Sequence, residues 1–239
     1  MTTTHLQHTR LVATETSPSP LLLLTRGGAA GFILIVAVLH VVDRELDPVS
    51  GFVSEYVLGD YPWLMRLAFL SVTVALVGMT LLAHRALPAS RGRTGVTVLL
   101  TVATGGTLAA GVFDTDPKDV LATTPSTSGL IHYWAFMTTV LAFLAATVVL
   151  GRLFSRTPGS QEHARPQLVF AAAMLASFLL MFFSSTEVVG LTQRVYLLAA
   201  LAWLLVASGW LAHLHEPAPH RDEADTAVAS TSAAAPDQR

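Results

Sequence analysis

The run Asp47-Pro48-Val49-Ser50-Gly51-Phe52-Val53-Ser54-Glu55-Tyr56-Val57-Leu58-Gly59-Asp60-Tyr61-Pro62-Trp63-Leu64-Met65 decides how this chain is read. It is polar, aromatic and punctuated by Gly and Pro, and it joins two apolar segments at roughly 27–43 and 63–83. A bilayer core of about 30 Å takes about 20 apolar residues at 1.5 Å per residue. The run is therefore a loop strung between two membrane spans.

Working outward, the same pattern repeats. Further apolar segments lie at roughly 95–113, 129–151, 167–185 and 194–214, giving six in all. Each must be a helix, because unpaired backbone groups cost several kcal/mol in lipid. The first is short unless Leu21-Leu22-Leu23-Leu24 extends it past Arg26, whose long side chain can snorkel to the surface. Composition agrees: of 239 residues 52% are hydrophobic and only 13% charged, with a mean hydropathy of +0.57. A soluble domain carries about 25% charged residues. The expected fold is all-α, a six-helix transmembrane bundle with a structured outer loop between helices 1 and 2.

The charges between the spans orient them. Arg85, Arg91 and Arg93 follow the second span, and Arg152, Arg156 and Arg165 follow the fourth. Asp43, Glu45, Asp47, Glu55 and Asp60 follow the first, and Asp114, Asp116 and Asp119 the third. Arg44, Arg66, Lys118 and Arg194 fall on that acidic side, leaving the other ten of 14 Lys and Arg opposite. The positive-inside rule then predicts a multi-pass protein of the plasma (cell) membrane with both termini cytoplasmic. The expected domains are a disordered tail at 1–22, a transmembrane domain at 23–215, and a second disordered tail at 216–239. No cleaved signal peptide is expected, since about 20 mostly polar residues precede the first apolar run. His213, His215 and His220 gather near the second tail and read as part of it rather than as a metal tract.

Local signals sharpen the spans. Thr124-Pro125 reads as an N-cap and first-turn proline for the fourth, and Pro166 plays the same part for the fifth. Tyr56, Tyr61 and Trp63 suit an outer interfacial belt and Trp210 an inner one. Gly105, Gly106, Thr107, Ala110 and Gly111 give the third span small faces at four-residue spacing, which predicts close packing and a central position.

Folding this topology together brings one set of polar groups to the outer face: Ser54, Glu55, Tyr56, Arg66, Asp114, Asp116, His132, Glu187, Gln193 and Arg194. Ionisable groups at that depth pair or line a cavity. Arg66 either snorkels alone or pairs with Glu55 or Asp60 and pins the first loop. His132 with Asp114 and Asp116, joined by His40 and Asp43, is either a hydrogen-bonded structural cluster or an acid–base or metal site. One histidine with no second at four-residue spacing is far from a zinc motif. Ser54 lacks a G-x-S-x-G elbow and is expected to cap a short helix. Glu187 and Arg194 are placed to close a salt bridge. There are no cysteines, so disulfides, thiolate metal sites and cysteine nucleophiles are excluded. No phosphate loop, dinucleotide fingerprint or haem motif occurs, so no cofactor or metal is expected, and the net charge of −2 gives no sign of nucleic acid as a partner.

Ser54-Glu55-Tyr56 with Gly59 and Tyr61-Pro62-Trp63-Leu64-Met65-Arg66-Leu67-Ala68-Phe69 resembles the first-loop signature of domain-of-unknown-function family 998, predicted polytopic membrane proteins of bacteria and archaea. Further matches are Gly111-Val112-Phe113 leading to Thr115-Asp116-Pro117, Gly129-Leu130-Ile131-His132, and Gly190-Leu191 leading to Gln193-Arg194. The resemblance spans roughly residues 27 to 214, and its specific part is the first loop. A Pro stands here before Trp63 where the family pattern has Gly. The resemblance implies a six-helix membrane protein and brings no activity with it.

Two kinds of function fit these residues. The first is a non-enzymatic membrane protein whose first loop, held by Arg66, Arg194 and the carboxylates, covers a site for a membrane lipid, a small solute or a partner, with small-solute transport as a variant. The spans have almost no ionisable residue near mid-depth, and no internal repeat supports transport. The second is a hydrolase or transferase acting on lipid-type substrates at the outer face. Convergence of Glu55, Asp116, His132 and Arg194 on one cavity separates the two.

Overall fold

The computed structural model describes residues 19–215, and six of its helices are long and apolar enough to cross a membrane, with mean hydropathy between 1.6 and 2.1. They are α1 (Pro20–Val42), α2 (Pro62–Ala86), α3 (Arg91–Val112), α5 (Thr127–Arg156), α6 (Ala164–Phe183) and α7 (Val189–His215). A one-turn helix, α4 (Lys118–Leu121), and two 3-10 turns, Val53–Leu58 and Gln161–His163, occupy the loops. No strand occurs among the described residues. The expected all-α six-helix membrane bundle is the fold observed.

The helix ends show the local chemistry at work. Pro20 opens α1, where its missing N–H costs nothing, so the Leu21–Leu24 run does join the first span and three residues of the expected tail are helical. Residues 1–18 and 216–239, with His220, lie outside the described residues, whereas His213 and His215 belong to α7. α5 starts later than expected: its N-cap is Ser126, whose hydroxyl accepts from Gly129 N at 3.0 Å, and Thr124-Pro125 lies just before it. Pro166 sits in the first turn of α6.

Around the bundle the helices pack in the order α1, α2, α3, α5, α6, α7 and back to α1, with α7 also against α2. α2 is the most enclosed span, half of it buried. α3, expected at the centre, lies on the perimeter between α2 and α5 with 28% of its span buried. Its small residues do permit close approach, but sideways. A Cβ on Gly106 would stand 2.8 Å from Ala135 O and 2.4 Å from Thr139 Oγ1, while Gly105 faces open space. Small faces mark where two backbones touch, and that can happen at the edge of a bundle as well as at its middle.

The half of the core away from loop one is filled by large side chains. Trp203 is fully buried, donates its indole N–H to Gln167 Oε1, and meets Phe143 edge-on at 4.7 Å. Phe182 and Phe183 face outward, as lipid-contacting side chains do. Trp63 and Tyr61 are exposed at the start of α2, but Tyr56 is 1% exposed and belongs to the core rather than to an interfacial belt. Trp210 is half-buried and stacks on His163 at 4.8 Å.

Candidate functional site

Loop one (43–61), loop three (113–126) and loop five (184–188) meet at one end of the bundle, and the polar residues there make most of their hydrogen bonds to one another's backbones. Loop one begins with a turn closed by Asp47, whose Oδ1 accepts from Val49 N at 3.0 Å and whose Oδ2 accepts from the Ser50 hydroxyl at 2.8 Å. Those two bonds hold the Asp47 carboxyl below its ordinary pKa. The chain then lies against the start of α7. Leu191 N donates to Val49 O at 2.8 Å, Arg194 Nη1 to Gly51 O at 2.8 Å, and Val53 N to Gln193 Oε1 at 2.7 Å. Contact is so close that a Cβ on Gly190 would sit 2.2 Å from Gly51 O.

Glu55 ties this loop to the next. Its carboxylate is buried, with Oε2 accepting from Phe52 N at 2.7 Å and Oε1 from Lys118 N at 2.8 Å. One side chain thus caps both the 3-10 turn and α4, placing negative charge where backbone donors point. The Lys118 ammonium completes the stitch by donating to Ser50 O at 3.0 Å in loop one and Thr186 O at 3.1 Å in loop five.

Several expected pairings are replaced by others. Ser54 caps nothing: it is the second residue of the 3-10 turn, and Glu55 does the capping. Arg66 pairs with Asp114 at 2.7 Å, not with Glu55 or Asp60, so it joins α2 to the end of α3 and does not pin loop one. Arg194 bonds Gly51, Gly190 and His40, while Glu187 is exposed and forms no bridge to it. Asp116 sits over the start of α5, accepting from Ser126 N at 2.7 Å and Ser126 Oγ at 2.8 Å. His132 does not bond Asp114 or Asp116. Its Nδ1 lies 2.8 Å from Ala110 O and 2.9 Å from Phe113 O, two carbonyls exposed where α3 ends. Among the described residues no three His, Asp or Glu side chains converge as a metal-ligand set.

His40 and Asp43, expected beside His132, instead meet Tyr56 and Arg194 under loop one. His40 Nδ1 bonds Val36 O at 2.6 Å, so Nε2 is the nitrogen that accepts from Arg194 Nε at 3.1 Å. The rings of His40 and Tyr56 lie 5.3 Å apart. Asp43 is 3% exposed with its carboxylate against Gly59. Among the described residues Asp43 Oδ2 is buried without a hydrogen-bond partner, and the Tyr56 hydroxyl and Arg194 Nη2 are buried as neighbours without a hydrogen bond of full geometry. Burial pushes the Tyr56 phenol above its ordinary pKa, with the Arg194 guanidinium opposing. The sequence carried a signal for this cluster in the depth shared by the end of the first span and the start of the last.

Beneath loop one lies a cavity of about 100 Å³ between α1, α2, α3, α5 and α7. Phe69, Val72 and Leu76 of α2, Phe136 and Phe143 of α5, and Leu197 and Leu201 of α7 make its walls apolar. A second cavity of about 210 Å³ adjoins it toward Met137, Met181 and Phe182. Ser54, His132, Phe136 and Gln193 line both and therefore form their common wall. A third, about 330 Å³, shares Phe52, Leu121, Tyr133 and Val189 with the second and reaches Lys118 and Thr186 in the loops. No formally charged side chain lines the first two.

Residues 27–210 match a family model described as a protein of unknown function, DUF998. No curated protein and no solved structure matches the chain.

Proposed function

The chain belongs to the DUF998 family, and from that premise we propose that it is a membrane protein that binds an apolar or amphiphilic small molecule in the cavity beneath loop one. The observation that carries this reading is the cavity itself: partly open, walled by aromatic and aliphatic side chains, and provided with a few polar residues, Ser54, Thr107, His132, Thr139 and Gln193. That is the usual build of a small-molecule site, in which apolar surface supplies affinity and a few polar groups supply orientation. Loops one, three and five face the outside and both termini the cytoplasm in this reading, supported by the basic residues at the opposite end.

Local pairing supports binding over acid–base chemistry. Glu55, Asp116 and Arg194 each bond backbone or capping groups of their own neighbourhood, and none of the three lines the cavity. His132 does line the cavity, but no carboxylate lines it alongside, so the acid–base partners expected of Glu55 and Asp116 are not there.

Native mass spectrometry of the full chain released from nanodiscs tests the proposal. A retained amphiphile is expected in the unmodified protein and in a Leu198→Phe control, which changes an exposed position. It is expected to be lost from Ala200→Phe, whose new ring enters the cavity. Equal occupancy in all three would sink the reading. The chain has no cysteine, so single introduced cysteines at Glu45 and at Arg91 report orientation cleanly, with Glu45 expected to label from outside.

A further inference from the structure

Resting on that binding reading, we infer that the cavity selects an uncharged chain ending in a hydroxyl, whose O–H donates to His132 Nε2 while its oxygen accepts from the Gln193 amide.

The hydrogen-bond directions follow from partners that have no choice. Ala110 O and Phe113 O can only accept, so His132 Nδ1 carries the proton and Nε2 of the neutral ring is left as a lone pair. Val53 N can only donate, so the Gln193 atom it meets is the carbonyl oxygen, and both amide N–H groups of Nε2 remain for something else. Neither His132 Nε2 nor Gln193 Nε2 has a partner among the described residues, and both side chains belong to the wall shared by the first two cavities. Ser54, also on that wall, can donate or accept. The wall thus presents one acceptor, one donor and one group that is either.

Ligand chemistries can be sorted against that pattern. A carboxylate or phosphate oxygen only accepts, so it would set lone pairs against His132 Nε2 and bury a charge where no cation lines the wall. An ammonium only donates and would face the Gln193 N–H groups. An alkane leaves both groups unmet, and an ether meets one. A hydroxyl can donate to the one and accept from the other, and the remaining walls suit a hydrocarbon chain. The second cavity ends against Phe182, which is 60% exposed on the side that faces lipid, so the bilayer is the source of such a molecule.

The test is a ligand series on the full chain in nanodiscs, with apparent Kd from native mass spectrometry for 1-dodecanol, dodecyl methyl ether, dodecane and dodecanoate. Each added hydrogen bond should tighten binding about fivefold, so the alcohol should exceed the ether about fivefold and the alkane roughly 25-fold. Dodecanoate should bind more weakly than the alcohol. Gln193→Glu keeps an oxygen for Val53 N and removes the amide donors, so it should close the gap between ether and alkane; the series on the unmodified protein stands without it. Equal binding of alcohol and alkane, or tighter binding of dodecanoate, overturns this inference and leaves the cavity-binding reading intact. Binding of none of the four overturns both.

Discussion

Replacing Glu55 by Gln changes one oxygen for one NH2 group and nothing else in shape. In the native loop both carboxylate oxygens accept from backbone amides, Phe52 N at 2.7 Å and Lys118 N at 2.8 Å, with the side chain only 8% exposed. The amide oxygen of Gln can serve one of these donors, and its NH2 must then face the other. One charge-assisted bond is lost and a buried N–H is left facing a donor, together about 2–3 kcal/mol. Loops open locally at a free energy of their own, so the loss should appear there first. It corresponds to a roughly 30- to 150-fold rise in hydrogen exchange at Phe52 N and Lys118 N, measured in nanodiscs. Both amides should loosen, because one side chain holds them. Glu45→Gln, at an exposed carboxylate of the same loop, should leave both rates unchanged. Protection at both amides within about threefold of the unmodified protein would refute the capping role, since even a weak net hydrogen bond is worth roughly that factor.

Three further outcomes are expected. Gly190→Ala should lower the thermal midpoint in nanodiscs, because its Cβ would stand 2.2 Å from Gly51 O; Ala in a helix otherwise stabilises by about 1 kcal/mol, so a raised midpoint would contradict the close contact. Arg66→Glu sets a carboxylate against Asp114, but the native pair is 51% and 39% exposed, so the cost in denaturant unfolding should be about 1 kcal/mol or less, and a larger loss would mean that Arg66 holds more than Asp114. Tyr56 has its pKa raised by burial, so above pH 10 or so the unfolded phenol ionises before the folded one. The unfolded state then binds fewer protons and stability falls as pH rises. Tyr56→Phe should flatten that fall, and identical pH profiles would count against the buried phenol.

What the sequence made legible was whatever depends on neighbours in the chain. Six apolar runs became six helices, and Pro20 and Pro166 sit in the first turns of theirs. Pairings across the chain were harder. Arg66 has Glu55 and Asp60 within 11 positions, yet its partner is Asp114, 48 residues away, because α2 and α3 pack side by side. Glu55 was unavailable for a reason no pattern displays: two backbone amides from different loops claim both its oxygens. Ser54 looked like a cap because serine is a favoured one, but the residue after it had the reach to do the work from inside the turn. The placement of α3 failed on the same ground, since a small-residue face says that a neighbour is close without saying on which side.

The cavity lies to one side of the bundle: residues of α2, α3, α5 and α7 line it together with Phe32 of α1, and none of α6 does. Elsewhere in the core large side chains such as Trp203, Phe154 and Leu100 are fully buried. Around the cavity Thr107, Ala110 and Ala200 are small, and a void remains beside them. Loop one then closes the end with Val53 and Ser54. His132 and Gln193 line this end, and their Nδ1 and Oε1 are already engaged by Ala110, Phe113 and Val53. A free hydrogen-bonding end beside apolar walls is met either by water or by a ligand, and a ligand that meets these groups while its chain covers the walls gains from both.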